Sequence, residues 1–93
     1  MSGPRISVIM PALNGERYLG AAVTSILAQS EPQFEFIIID DGSNDATPDL
    51  ARDFAARDER IRFFCDGVRR GVASRLNQGL ALASSDFIAR MDA

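Results

Sequence analysis

The sequence predicts an α/β fold, an open doubly wound parallel sheet of Rossmann-like type with the order βαβαβαβ in 93 residues. Three observations predict it. Short, nearly continuous apolar runs alternate with longer segments whose apolar residues recur at helical spacing. Turn-forming clusters punctuate the boundaries. Because a helical segment separates each strand from the next, successive strands must run parallel, and ligands are expected at their carboxyl ends.

Ile6-Ser7-Val8-Ile9-Met10, ending at Pro11, is the first strand, apolar enough to be covered on both faces. From Glu16 to Gln29 the residues Tyr18, Leu19, Ala22, Val23, Ile26 and Leu27 recur as a helical stripe, and Asn14 is placed to cap that helix. Ser30-Glu31-Pro32 breaks it. Phe34 to Ile39 is the second buried strand, closed by Asp40-Asp41-Gly42-Ser43. Thr47 before Pro48 reads as an N-cap followed by the first helical position, opening a helix whose Leu50, Ala51, Phe54 and Ala55 share a face. Ile61 to Cys65 is the third strand. After a loop holding Gly67 and Gly71, the residues Val72, Leu76, Leu80 and Ala83 mark the third helix, and Phe87 to Met91 the fourth strand.

Composition narrows the function. Hydrophobic residues make up 46% and charged residues 25%, the proportions of a globular domain. Thirteen acids against ten bases give a net charge of −3, so no attraction to nucleic acid is built in. Cys65 stands alone, which excludes an intrachain disulfide and a cysteine-cluster zinc site; in its apolar run it reads as a small buried hydrophobe. The apolar runs are far shorter than a bilayer span and the N-terminus lacks a signal-peptide core, so a cytoplasmic location is expected.

The loops that follow Met10, Ile39 and Met91 are where a site is expected. Asp40, Asp41, Ser43 and Asp45 fall within six residues of one such loop. Successive strand residues point to opposite faces, so one of Asp40 and Asp41 can face the crevice while the other braces the turn. A crevice carboxylate only accepts hydrogen bonds, which suits a base presenting an N–H edge such as N3 of uracil and disfavours cytosine. The acids could instead cap the helix that begins near Thr47. Asp92, directly after the fourth strand, is a candidate metal ligand. A carboxylate repels each charge of a diphosphate by about 4 kcal/mol at about 4 Å with an effective dielectric of about 20, so a cation such as Mg2+ or Mn2+ is needed between them.

Taken together, these motifs resemble glycosyltransferase family 2, nucleotide-sugar transferases of GT-A type fold. The resemblance runs through Ser7-Val8-Ile9-Met10-Pro11-Ala12-Leu13-Asn14, Ile37-Ile38-Ile39-Asp40-Asp41-Gly42-Ser43, Gly71-Val72-Ala73, Asn77-Gln78-Gly79-Leu80 and Ile88-Ala89-Arg90-Met91-Asp92-Ala93. It implies that Pro11, Ala12, Leu13 and Asn14 line a nucleotide pocket, with Leu13 covering the base. Asp41 is then the base contact, with Asp40 as the alternative, because strand rotation is not fixed by sequence. It places Arg75 on the helix facing the nucleotide, where it approaches the base or diphosphate or else stands exposed. Asp92 matches the first acid of the family's Asp-X-Asp motif, which holds a divalent metal, Mn2+ or Mg2+. Residues 1–93 then form a single nucleotide-sugar-binding domain that ends inside this motif. The general base is expected beyond Ala93, so the piece alone is expected to be inactive.

The implied reaction moves a sugar from a nucleotide diphosphate, UDP foremost, to a glycan, lipid or polysaccharide acceptor, with inversion, at the inner face of the membrane in the intact protein. Self-association through an uncovered sheet edge is a further expectation. Arg69 stands where the family often has Asn, and Arg69-Arg70 reads as a solvated basic pair or a phosphate contact. Two other classes share the element order. A nicotinamide-binding domain lacks its Gly-rich fingerprint here, and a receiver module lacks the acids it needs at the first and third strands, where this chain has Pro11 and Cys65-Asp66.

Overall fold

The computed structural model describes residues 3–29 and 33–91. In chain order these form β1 (Ile6–Ala12), α1 (Leu19–Leu27), β2 (Phe34–Asp40), α2 (Thr47–Arg57), β3 (Ile61–Cys65), α3 (Val72–Leu82) and β4 (Ile88–Arg90). All strand pairs are parallel and the sheet order is β3-β2-β1-β4. The chain therefore steps outward from β1 to β3 and then crosses back to place β4 on the other side of β1. That reversal puts a topological switch point between β1 and β4.

Period-two alternation divides the core between the two faces. Val8, Met10, Phe36 and Ile38 pack with Leu19, Val23 and Ile26 of α1 and Ala51 of α2. The alternate residues Ser7, Ile9, Glu35, Ile37 and Ile39 are also buried, on the face where α3 crosses β1 and β2. β1 runs through Pro11 to Ala12, two residues beyond Met10. The proline is tolerated because the even residues of β1 bond β2, as Ala12 does by accepting from the Asp41 N–H at 2.8 Å. The missing N–H of Pro11 belongs to the opposite side, past the end of β4 at Arg90.

α3 departs from the expected stripe. Its buried residues are Arg75 and Gly79, whereas Val72 is 49% and Leu80 52% exposed. Gly79 sets the approach: a Cβ there would lie 2.4 Å from Ile9 Cγ2, so the helix backbone itself rests on β1. α1 also starts later than the spacing suggested, at Leu19, and Tyr18 is 66% exposed rather than part of the buried face. Cys65 is exposed at the end of β3, not buried.

At the amino ends of the strands the buried Glu35 ties the exit of α3 to the sheet. It accepts from Ser7 Oγ at 2.6 Å, from Arg62 Nη1 at 3.0 Å and from the Ser84 N–H. Burial alone would raise its pKa, but these donors outweigh that and hold it below the ordinary Glu value.

Candidate functional site

The carboxyl ends of β1 and β2 are joined by a lattice of hydrogen bonds between their following loops. Asn14, at φ 49°, uses its backbone N–H to bond Ser43 Oγ at 2.8 Å and its Oδ1 to accept from the Asn44 N–H at 2.8 Å. Asparagine tolerates that left-handed conformation better than most residues. Asn14 thus fastens one loop to the other and is not the cap of α1, whose N-cap position is Tyr18. Gly15 N–H bonds Thr47 Oγ1 at 2.9 Å, and Glu16 Oε1 accepts from the Ala46 N–H at 2.9 Å. Thr47 is the first residue of α2 rather than its N-cap, and Asp45 takes the Thr47 N–H at 2.9 Å. Leu13, immediately before these anchors, is 39% exposed.

Asp40 and Asp41 separate as strand alternation requires. Asp40, fully buried, accepts from the Gly42 N–H at 3.1 Å, the Ser43 N–H at 2.9 Å and Ser43 Oγ at 2.6 Å. It braces the turn. Gly42 is required there twice over, by φ 76° and because a Cβ would meet Arg69 N at 2.9 Å. The loop after β3 therefore lies directly against the turn after β2.

Asp41 turns to the α3 face. Its Oδ1 accepts from the Arg70 N–H at 2.7 Å and from Arg75 Nε at 2.9 Å, and Oδ2 from the Gly71 N–H at 3.1 Å. Burial pushes its pKa upward, but the Arg70 amide, the Arg75 guanidinium and the Gly71 amide together hold it below the ordinary Asp value. Arg75 is neither exposed nor directed outward: 1% of its side chain is accessible. Its other nitrogens bond Gln78 Oε1 at 2.9 Å, Asp66 Oδ1 at 2.8 Å and the Val68 carbonyl.

Asp66, absent from the sequence expectations as a site residue, accepts from Arg70 Nε at 3.1 Å and the Val68 N–H at 3.0 Å as well as from Arg75. The Arg70 side chain belongs to this network, half-exposed. No local pattern marked Asp66, because its partners sit on the next helix and in its own loop.

Among the described residues no group of three or more His, Cys, Asp or Glu is placed to hold a metal. Asp92 lies outside the described residues. A cavity of about 660 Å³ lies at the opposite end of β1 and β4, lined by Pro4, Ile6, Ser84, Phe87 and Ile88; it contains neither Asp40 nor Asp41. No described helix is long and apolar enough to cross a membrane.

Fold and site together define a parallel α/β domain with a charged, internally braced carboxylate at the carboxyl end of β2, against the end of β1. A sequence profile of the family described as Glycosyl transferase family 2 matches residues 7–93. The chain is 41% identical over 92 residues to the putative glycosyltransferase EpsE of Bacillus subtilis, covering 98% of this chain and 33% of that protein. It is 34% identical over 87 residues to an Escherichia coli protein named UDP-Glc:alpha-D-GlcNAc-diphosphoundecaprenol beta-1,3-glucosyltransferase WfgD, covering 94% and 34%. Among solved structures it resembles a mannosyltransferase from Pyrobaculum calidifontis in complex with GDP-Man and Mn2+, with a TM-score of 0.87, 27% identity and coverage of 99% of this chain and 28% of that one. S. aureus TarS 1-349 in complex with UDP-GlcNAc gives a TM-score of 0.86 at 26% identity, covering 95% and 26%. The chain belongs to glycosyltransferase family 2, and it spans about a third of the length of these curated relatives.

Proposed function

We propose that this chain holds the nucleotide of a nucleotide-diphosphate sugar at the carboxyl edge of its sheet, and that the protein transfers the sugar to a glycan, lipid or polysaccharide acceptor with inversion. One observation carries the reading: Asp41 stands at the carboxyl end of β2, against the end of β1, buried and with its pKa held low by donors from the β3–α3 loop and from α3. Asp40 is less suited to a ligand, since it is fully buried and its backbone and hydroxyl donors come from its own turn. In Asp41, Oδ2 takes one donor, the Gly71 N–H, which leaves acceptor capacity for a base N–H such as N3 of uracil. UDP is accordingly the proposed nucleotide. Pro11, Ala12, Leu13 and Asn14 form the wall at the end of β1, and Arg75 acts through Asp41 rather than on the ligand.

The transfer breaks the anomeric C–O bond to the diphosphate and forms one to the acceptor oxygen, whose proton goes to a general base. No residue of this chain is assigned that role. A divalent ion at the diphosphate, with Asp92 among its ligands, belongs to the same proposal, as does action at the cytoplasmic face of a membrane. One relative, whose name includes a UDP sugar and a diphosphoundecaprenol-linked acceptor, and neighbours in complex with GDP-Man and Mn2+ or with UDP-GlcNAc, support it. So does the exposed edge at β4, where Phe87 is 73% and Ile88 42% exposed, for the self-association expected of this chain.

The test is calorimetric titration of UDP and CDP, with and without Mn2+, into the chain and into a form extended to the length of its relatives. UDP binding that exceeds CDP binding, tightens with Mn2+ and drops at least about tenfold in Asp41→Asn is expected. A folded extended form that ignores both nucleotides in either metal state would overturn the proposal.

A further inference from the structure

Arg75 could meet Asp41 with both arms of its guanidinium, the usual fork-to-fork geometry of an arginine and a carboxylate. It does not. Only Nε reaches Asp41, at Oδ1, while Nη2 is turned to Asp66 Oδ1 at 2.8 Å and to the Val68 carbonyl, and Nη1 to Gln78. Asp66 also takes Arg70 Nε at 3.1 Å, and the Arg70 backbone N–H is itself a donor to Asp41 at 2.7 Å. The carboxylate of Asp66 therefore governs two of the groups that surround Asp41, although it does not touch Asp41.

We infer that Asp66 is a positioning residue for nucleotide selection: by drawing Arg75 Nη2 away, it keeps the guanidinium from closing on Asp41 Oδ2 and leaves that oxygen to the base. The inference rests on the reading of Asp41 as the base contact. Chemistry supplies the reason. Without Asp66, Nη2 loses its anionic partner beside a buried guanidinium, and the nearest remaining carboxylate is Asp41. A two-armed pair would then occupy Oδ2, the oxygen with a single protein donor, and a base N–H would compete with a charged donor for the same lone pairs. Asp66 lies 43% exposed at the side chain, so its replacement leaves the buried core of the sheet intact.

The signature is selectivity rather than affinity alone. Removing the base N–H contact weakens UDP but not CDP, whereas general damage to the loop weakens both alike. The experiment measures Kd for UDP and for CDP in the extended form, in the unsubstituted protein, Asp66→Ala, Asp66→Asn and Asp41→Asn, with thermal unfolding of each. Asp66→Ala is expected to reduce the UDP-to-CDP preference about tenfold, approaching Asp41→Asn, with CDP affinity held within about twofold. Asp66→Asn, which retains an acceptor for Nη2, is expected to keep an intermediate preference, and it decides the question should Asp66→Ala not fold. An unchanged preference in both variants, or equal weakening of UDP and CDP, overturns the role of Asp66 while leaving that of Asp41 standing. A preference already missing from the unsubstituted protein, or untouched in Asp41→Asn, overturns the underlying reading as well.

Discussion

Arg75 Nε and Asp41 Oδ1 meet at 2.9 Å across 34 residues of sequence, with 1% and 6% of their side chains exposed. A pair so buried contributes through what its loss leaves behind: removing one partner strands the other charge in a medium that solvates it poorly. Arg75→Leu is therefore expected to lower unfolding free energy by about 3–5 kcal/mol in urea denaturation. Arg75→Lys should recover little, because one ammonium cannot reach Asp41, Asp66, Gln78 and the Val68 carbonyl together. A neutral effect of Arg75→Leu would show that the pair is not closed in solution.

Beside the more exposed Asp45, Asp58 and Asp66, whose pKa values are lowered too, the acid limb of stability should reflect the buried Asp41 and Glu35. Both pKa values are lowered in the folded chain, so the folded state binds protons less readily than the unfolded one. Their contribution is fully present above the ordinary values of 3.8 and 4.5 and is lost as pH falls through the lower folded values. Urea midpoints taken from neutral pH down through this range should fall, and Glu35→Gln should flatten the fall. An equally steep fall in Glu35→Gln would remove Glu35 from the account.

Gly79→Ala should destabilise the chain even though alanine favours a helix by about 1 kcal/mol over glycine. The added Cβ would lie 2.4 Å from Ile9 Cγ2 and 3.1 Å from Ile9 Cδ1, and crowding of this kind in a packed core costs about 1–3 kcal/mol. Combining it with Ile9→Ala should recover part of the loss relative to the sum of the two single changes, read from denaturation midpoints. A stabilised Gly79→Ala would mean that α3 stands farther from β1 than described.

Element order and strand direction were legible along the chain, because they depend on local periodicity and on the geometry of crossovers. The opposed orientation of Asp40 and Asp41 was legible for the same reason, since alternation acts on neighbours. Which of the two turned inward to α3 was not, and the arrangement of the strands decided it: the even residues of β1 and β2 face α1 and α2, so Asp41 meets α3. The stripe on α3 misled, because Val72 and Leu80 mark an apolar side that the described residues leave exposed, while the contact is made by a glycine and an arginine. Asn14 looked like a cap and is a clamp between two loops 30 residues apart in sequence. The sequence by itself determined what repeats within a turn or a pair of strand residues. Only the tertiary structure decided which charge met which, because the Asp41, Asp66 and Arg75 carboxylates and guanidinium find each other across loops whose path no local pattern encodes, and burial then makes that one pairing far better than any other.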